Sequence, residues 1–151
     1  MKSYYFTNPT ADRHKAREIQ LLIEKETGLN LINPFYGPDG TPTQEIKQLD
    51  NGEKTTVKSP EIVAVDMKMI RESDGIIGWI SDRTSWGSIQ EAFYCHHVLA
   101  KPVYLIFDPD CRNRINNPDH PWAIESSTRI FGTVQGFVQF AKEKLAVKET
   151  V

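Results

Sequence analysis

Apolar runs of strand length alternate with amphipathic helical stretches along almost the whole chain, and this alternation limits its fold more than any other feature. Ser3-Tyr4-Tyr5-Phe6-Thr7 is a β-rich run stopped by Asn8-Pro9. Residues 11–27 carry Ala16, Ile19, Leu22 and Ile23 at helical spacing, with Gly28 as a stop. A second strand is expected over 29–32, then a long Gly- and Pro-containing connection over 37–58. Ser59-Pro60-Glu61 predicts a helix with Ser59 as its cap, running to about residue 73 with Ile62, Val63, Met67 and Ile70 on one apolar face. The unbroken apolar run 75–80 reads as a central strand covered on both faces. A polar loop (81–88), a helix (89–100), a strand (103–107), a polar loop (108–121), a strand (129–131) and a helix (133–147) complete the pattern. Such an order specifies parallel strands with right-handed crossovers. The expected fold is a doubly wound α/β domain: a five-stranded parallel sheet in a Rossmann-like or flavodoxin-like three-layer sandwich. With 151 residues, one domain spanning 1–151 is expected.

Charge removes several classes of partner. Eighteen Lys and Arg against 20 Asp and Glu leave a net charge of -2, so bulk attraction to a nucleic-acid polymer or an anionic membrane is absent. No apolar run reaches bilayer length, and MKSYYFTNPT lacks a signal-type apolar stretch, which together lead us to expect a cytoplasmic protein. Cys95 and Cys111 are too far apart for a Cys-x-x-Cys pair and too few for structural zinc. Neither glycine-rich nucleotide fingerprint occurs, and no metal or cofactor is expected.

Ligands of doubly wound sheets bind beyond the carboxyl ends of the strands. The segments there include 7–13, which holds Asn8 and Arg13, and the turn Ser85-Trp86-Gly87-Ser88-Ile89-Gln90-Glu91. In that turn backbone N–H groups and the Ser85 and Ser88 hydroxyls can hold an anion, with Gly87 allowing close approach. The positive helix end would favour an ionised Glu91. The same residues also read as a plain capping box, Ser88 capping and Glu91 three residues on. Trp79 and Trp86 carry rings that can stack on a base or pack against the 37–58 connection.

Tyr4-Tyr5-Phe6, then Asp12-Arg13 opening the first helix, residues 66–74 leading into the strand 75–80, Ser85-x-Gly87-x-x-x-Glu91 and Ala100-Lys101-Pro102-Val103 follow one another in a familiar order and spacing. In this the chain resembles the nucleoside 2-deoxyribosyltransferases and their relatives that hydrolyse the N-glycosidic bond of nucleoside monophosphates. The resemblance implies Glu91 as a nucleophile that forms a glycosyl ester, Tyr5 as the group that orients it, and Asp74 as the residue that holds or protonates the leaving base. The deoxyribosyltransferases acting on free nucleosides usually carry an acidic residue where this chain has Ser85. A serine there suits a 5'-monophosphate, with Gly87, Ser88 and Arg13 also facing the phosphate and Asn8 and Trp79 completing the substrate site. It further implies a small-molecule nucleoside or nucleotide as partner and a homo-oligomer in which a second copy completes the pocket. Other readings are a transferase proper, a non-catalytic nucleotide-binding or sensing module, and action on NAD or an ADP-ribose derivative.

Overall fold

In the computed structural model, residues 2–81, 86–110, 118 and 120–145 are described. Strand β1 (Ser3–Thr7) leads through a single 3-10 turn (Thr10–Asp12) into α1 (Arg13–Thr27), followed by β2 (Asn30–Ile32), α2 (Gln44–Asp50), α3 (Ser59–Glu72) and β3 (Ile76–Ile80). Helix α4 (Trp86–Phe93) runs on as a π-helical turn (Tyr94–Val98), and then come β4 (Val103–Phe107), α5 (Pro121–Glu125), β5 (Arg129–Phe131) and α6 (Val134–Lys144). All strand pairings are parallel, in the order β2-β1-β3-β4-β5. The five-stranded doubly wound sheet read from the sequence is therefore the one observed, with the apolar run of β3 at its centre.

The period-2 alternation of the strands divides the core in two. Tyr4, Phe6, Ile77, Trp79, Tyr104 and Ile106 point to the face covered by α1 and α6, where they meet Ala16, Ile23, Phe137 and Ala141. Tyr5, Ile76, Ile80, Val103, Leu105 and Phe107 point to the opposite face, against Ile70, Ala92, Cys95 and Ala123 of α3, α4, the π turn and α5. Each of these large side chains stabilises the fold by about 1.5–3 kcal/mol through removal of apolar surface from water. Gly78 is small for a packing reason: a Cβ there would lie 2.9 Å from Leu105 Cδ2 and 3.0 Å from Thr7 Cγ2. Gly28 ends α1 at φ 73°, a left-handed conformation that glycine adopts without strain.

Helices start where their local chemistry allows, which shifts several expected boundaries. Lys58, not Ser59, is the cap position of α3, and Ser59 and Pro60 already lie inside the helix. Val63 is exposed, so the inward stripe of α3 is Ile62, Asp66, Met69 and Ile70 rather than the purely apolar face expected. Helix α4 already includes Trp86, three residues before the expected start, the connection 37–58 contains α2, and a short helix, α5, follows the 108–121 loop. Thr133 caps α6 by accepting a bond from Gly136 N at 3.0 Å. No described helix is long and apolar enough to cross a membrane.

Candidate active site

Strand order reverses between β1 and β3, and at their carboxyl ends the chain leaves a cavity of about 250 Å³. Residues two apart on β1 share a face, so Tyr5 and Thr7 both project toward α4. On α4, Ser88 and Glu91 are three apart and also share a face. The two elements meet there: the Tyr5 hydroxyl donates to Glu91 Oε2, and the Thr7 hydroxyl lies 2.8 Å from Glu91 Oε1 and 2.7 Å from Ser88 Oγ. A hydroxyl has one proton to give. When Glu91 is ionised, Thr7 gives its proton to the carboxylate and Ser88 can give its own to Thr7, so that the Glu91 carboxyl is held at both oxygens. Ser88 is therefore not the helix cap of a capping box, since it lies inside α4, 3% exposed, and faces Thr7.

Electrostatics at this carboxyl are set by burial. Burial raises the pKa of Glu91 from 4.5 to about 7, with the charge of Asp66 adding to the rise and the Tyr5 and Thr7 bonds opposing it. The ionising effect of the helix end, expected from sequence, is outweighed by this burial. Burial and the nearby Glu91 charge push Tyr5 well above 10, which keeps it a proton donor. Across the cavity Asp66 of α3 is raised to about 6 by burial and by Glu45 of α2, itself raised by burial. The described lining residues include three carboxylates and no Lys, Arg or His. Charging one of these acids raises its neighbours, so near neutrality protons are shared among them. An ionised carboxylate and a protonated one can then face a ligand together, which is what acid-assisted nucleophilic displacement requires.

The expected site residues divide into those the fold gathers and those it separates. Tyr5, Asn8, Gly87, Ser88 and Glu91 line the cavity, Asn8 buried with its Nδ2 bonded to Pro9 O at 3.0 Å. Asp74 lies at the other end of the sheet: it precedes β3, and its Oδ2 accepts from Ser3 N at 2.9 Å at the start of β1. It cannot meet a base beside Glu91. Trp79 points into the α1/α6 core at 2% exposure and cannot stack on a ligand, whereas Trp86 is 74% exposed on the cavity rim. Arg13 is turned away from the cavity lining toward Asp50, with Nη2 to Oδ1 at 2.7 Å. Ser85 lies outside the described residues. Thr7, Glu45 and Asp66 line the site although sequence reasoning did not single them out. Asp66 left one signal: a carboxylate four residues after Ile62 and four before Ile70, on the inward stripe of an amphipathic helix.

No family model matches the chain, and no curated protein matches it. Solved structures do. The 2-deoxyribosyltransferase of Bacillus psychrosaccharolyticus superposes with a TM-score of 0.65 at 15% identity, covering 99% of both chains. A conserved protein of Enterococcus faecalis V583 superposes with a TM-score of 0.64 at 13% identity, covering 96% of this chain and 99% of that one. Over essentially its full length, the chain has the fold of a 2-deoxyribosyltransferase.

Proposed function

We propose that this protein breaks the N-glycosidic bond of a nucleoside or nucleoside 5'-monophosphate through a covalent glycosyl ester on Glu91. The observation that carries the reading is the Glu91 carboxyl at the switch-point cavity, held at both oxygens by Tyr5 and Thr7. In the first step a Glu91 oxygen attacks the anomeric carbon and the carbon–nitrogen bond breaks, its electron pair passing to the base. Asp66 takes the role that the resemblance gave to Asp74, because it is the raised-pKa acid on the facing wall, and it donates the proton that the departing base nitrogen accepts. In the second step water, or a second base, attacks the same carbon and frees Glu91, so configuration is retained overall. The likeness to a 2-deoxyribosyltransferase supports a second base as acceptor. A 5'-phosphate would be held by the N–H groups that open α4 at Trp86 and Gly87, with Ser85, rather than by the acidic wall of Asp66 and Glu45.

Chromatography of base release across deoxynucleosides, ribonucleosides and their 5'-monophosphates tests the reading. Wild-type protein is expected to release base and Glu91→Ala protein to lose that activity, whereas release by Glu91→Ala at the wild-type rate would overturn the assignment. Adding a second free base separates the two acceptors: a transferase incorporates it into product and turns over faster.

A further inference from the structure

Arg13 opens α1 immediately after the 3-10 turn that follows the cavity residues Asn8 and Pro9. Its Nη1 donates to the carbonyl of Thr10 at 3.0 Å, and its Nε and Nη2 donate to Asp50 Oδ1 at 2.9 and 2.7 Å. Thr10 lines one wall of the cavity. Asp50 ends α2, whose first turn carries Glu45 on another wall. One guanidinium therefore ties two walls together. The Arg13 side chain is only 16% exposed, so it is packed into this role and is not a freely solvated helix residue. Helix α2 has seven residues, too few to hold its shape alone in water. It needs anchors: the fully buried Ile46, a bond from Thr43 N to Phe35 O at 3.0 Å at its start, and Asp50 at its end, where His14 Nε2 also approaches to 3.0 Å.

We propose that Arg13 is a positioning residue, which through Asp50 fixes α2 and so holds Glu45 against Asp66 on the cavity wall, and that it does not bind a substrate phosphate. The proposal rests on the cavity being the N-glycosidic site argued above. Loosening α2 blurs one wall for every substrate without reaching Glu91, Tyr5 or Thr7, which stand on β1 and α4. The effect belongs mainly in substrate binding, since Asp66, the proton donor, stands on α3 and owes its raised pKa first to burial and only second to Glu45.

The test is steady-state kinetics of Arg13→Ala, Asp50→Ala and the double variant on a neutral deoxynucleoside and on its 5'-monophosphate. Each single variant is expected to raise KM by roughly two- to fivefold on both substrates, the range for loss of a solvent-exposed ion pair, with kcat within about twofold. The double variant is expected to be no worse than either single, and Arg13→Lys to recover part of the loss. A loss confined to the monophosphate in Arg13→Ala, with Asp50→Ala normal, would overturn the proposal and make Arg13 a phosphate ligand; additive losses would overturn it as well. Should wild-type protein cleave no nucleoside, the failure belongs to the site reading, and amide hydrogen exchange decides the positioning role by itself. Faster exchange over residues 44–50 in Arg13→Ala and Asp50→Asn, with α4 unchanged, supports it, and unchanged exchange in α2 overturns it.

Discussion

Glu91→Gln removes the charge of the central carboxyl while keeping its shape, and its effect on folding can be worked from the site. In the folded chain burial holds the Glu91 pKa at about 7 against an ordinary 4.5. The folded protein thus keeps a proton that the unfolded chain releases, and the stability gained from this is complete below about pH 4.5 and is lost as pH rises through 7. Each tenfold change in an ionisation constant corresponds to about 1.4 kcal/mol, so by pH 8 the wild-type protein gives up roughly 3 kcal/mol to an ionised Glu91. A glutamine makes no such concession. Its carbonyl oxygen accepts from one hydroxyl, and the other hydroxyl can rotate to accept from its amide. Relative to wild type, Glu91→Gln is expected to gain roughly 3 kcal/mol between pH 4 and pH 8, or about 6–12 °C in Tm for a chain of this size. Urea unfolding of both proteins at the two pH values measures the difference while cancelling the titration of every group not coupled to Glu91. An equal difference at both values, or a variant less stable at pH 8, would refute the account of Glu91 as a carboxylate kept against its burial.

The remaining expectations concern catalysis. Tyr5→Phe deletes a bond that lowers the Glu91 pKa, so the acidic limb of kcat/KM is expected to move up by on the order of one pH unit, with the wild-type rate approached only at high pH. A pH–rate profile checks it, and a pH-independent loss would instead assign Tyr5 a role in binding. Asp66→Asn is expected to lower kcat by roughly 10²- to 10⁴-fold through loss of the proton donor. Asp74→Ala, altered at the opposite end of the sheet, is expected to keep kcat and lose only the bond to Ser3 N. Rates of base release for the pair settle which aspartate serves the leaving group.

The sheet was legible because its strands are apolar runs too long to be turns and too regular to be loops, and Val103 to Phe107 is buried at every position as such a run must be. The missed helices α2 and α5 are short and rest on one buried anchor each, Ile46 and Ala123, which leaves no periodicity to detect. Glu91 stood out in the sequence through its strand-to-helix turn and Tyr5 only through the family resemblance, and the fold brings the two together at the cavity. The distance of Asp74 from the cavity has a physical origin. Position in sequence beside β3 does not say at which end of the strand a residue lies, and Asp74 stands before the strand while ligands collect after it. Asp66 was hidden in a helix whose outward Val63 and Val65 are as apolar as its inward residues, so hydrophobicity alone could not orient the stripe.

The pairing of β1 with β3, Tyr5 opposite Ile76 and Thr7 opposite Gly78, joins the two hydroxyl donors to the most enclosed strand of the sheet. Such strands separate only when the whole domain unfolds, whereas a two-turn helix such as α2 opens locally at far smaller free energy. The candidate site is therefore built from parts of different local stability: the Tyr5 and Thr7 donors stand on a strand that opens only with the whole fold, and the Glu45 wall stands on a helix that can open by itself. On the proposed function, a ligand enters and leaves by excursions of that wall alone, with the hydroxyls around Glu91 left in place.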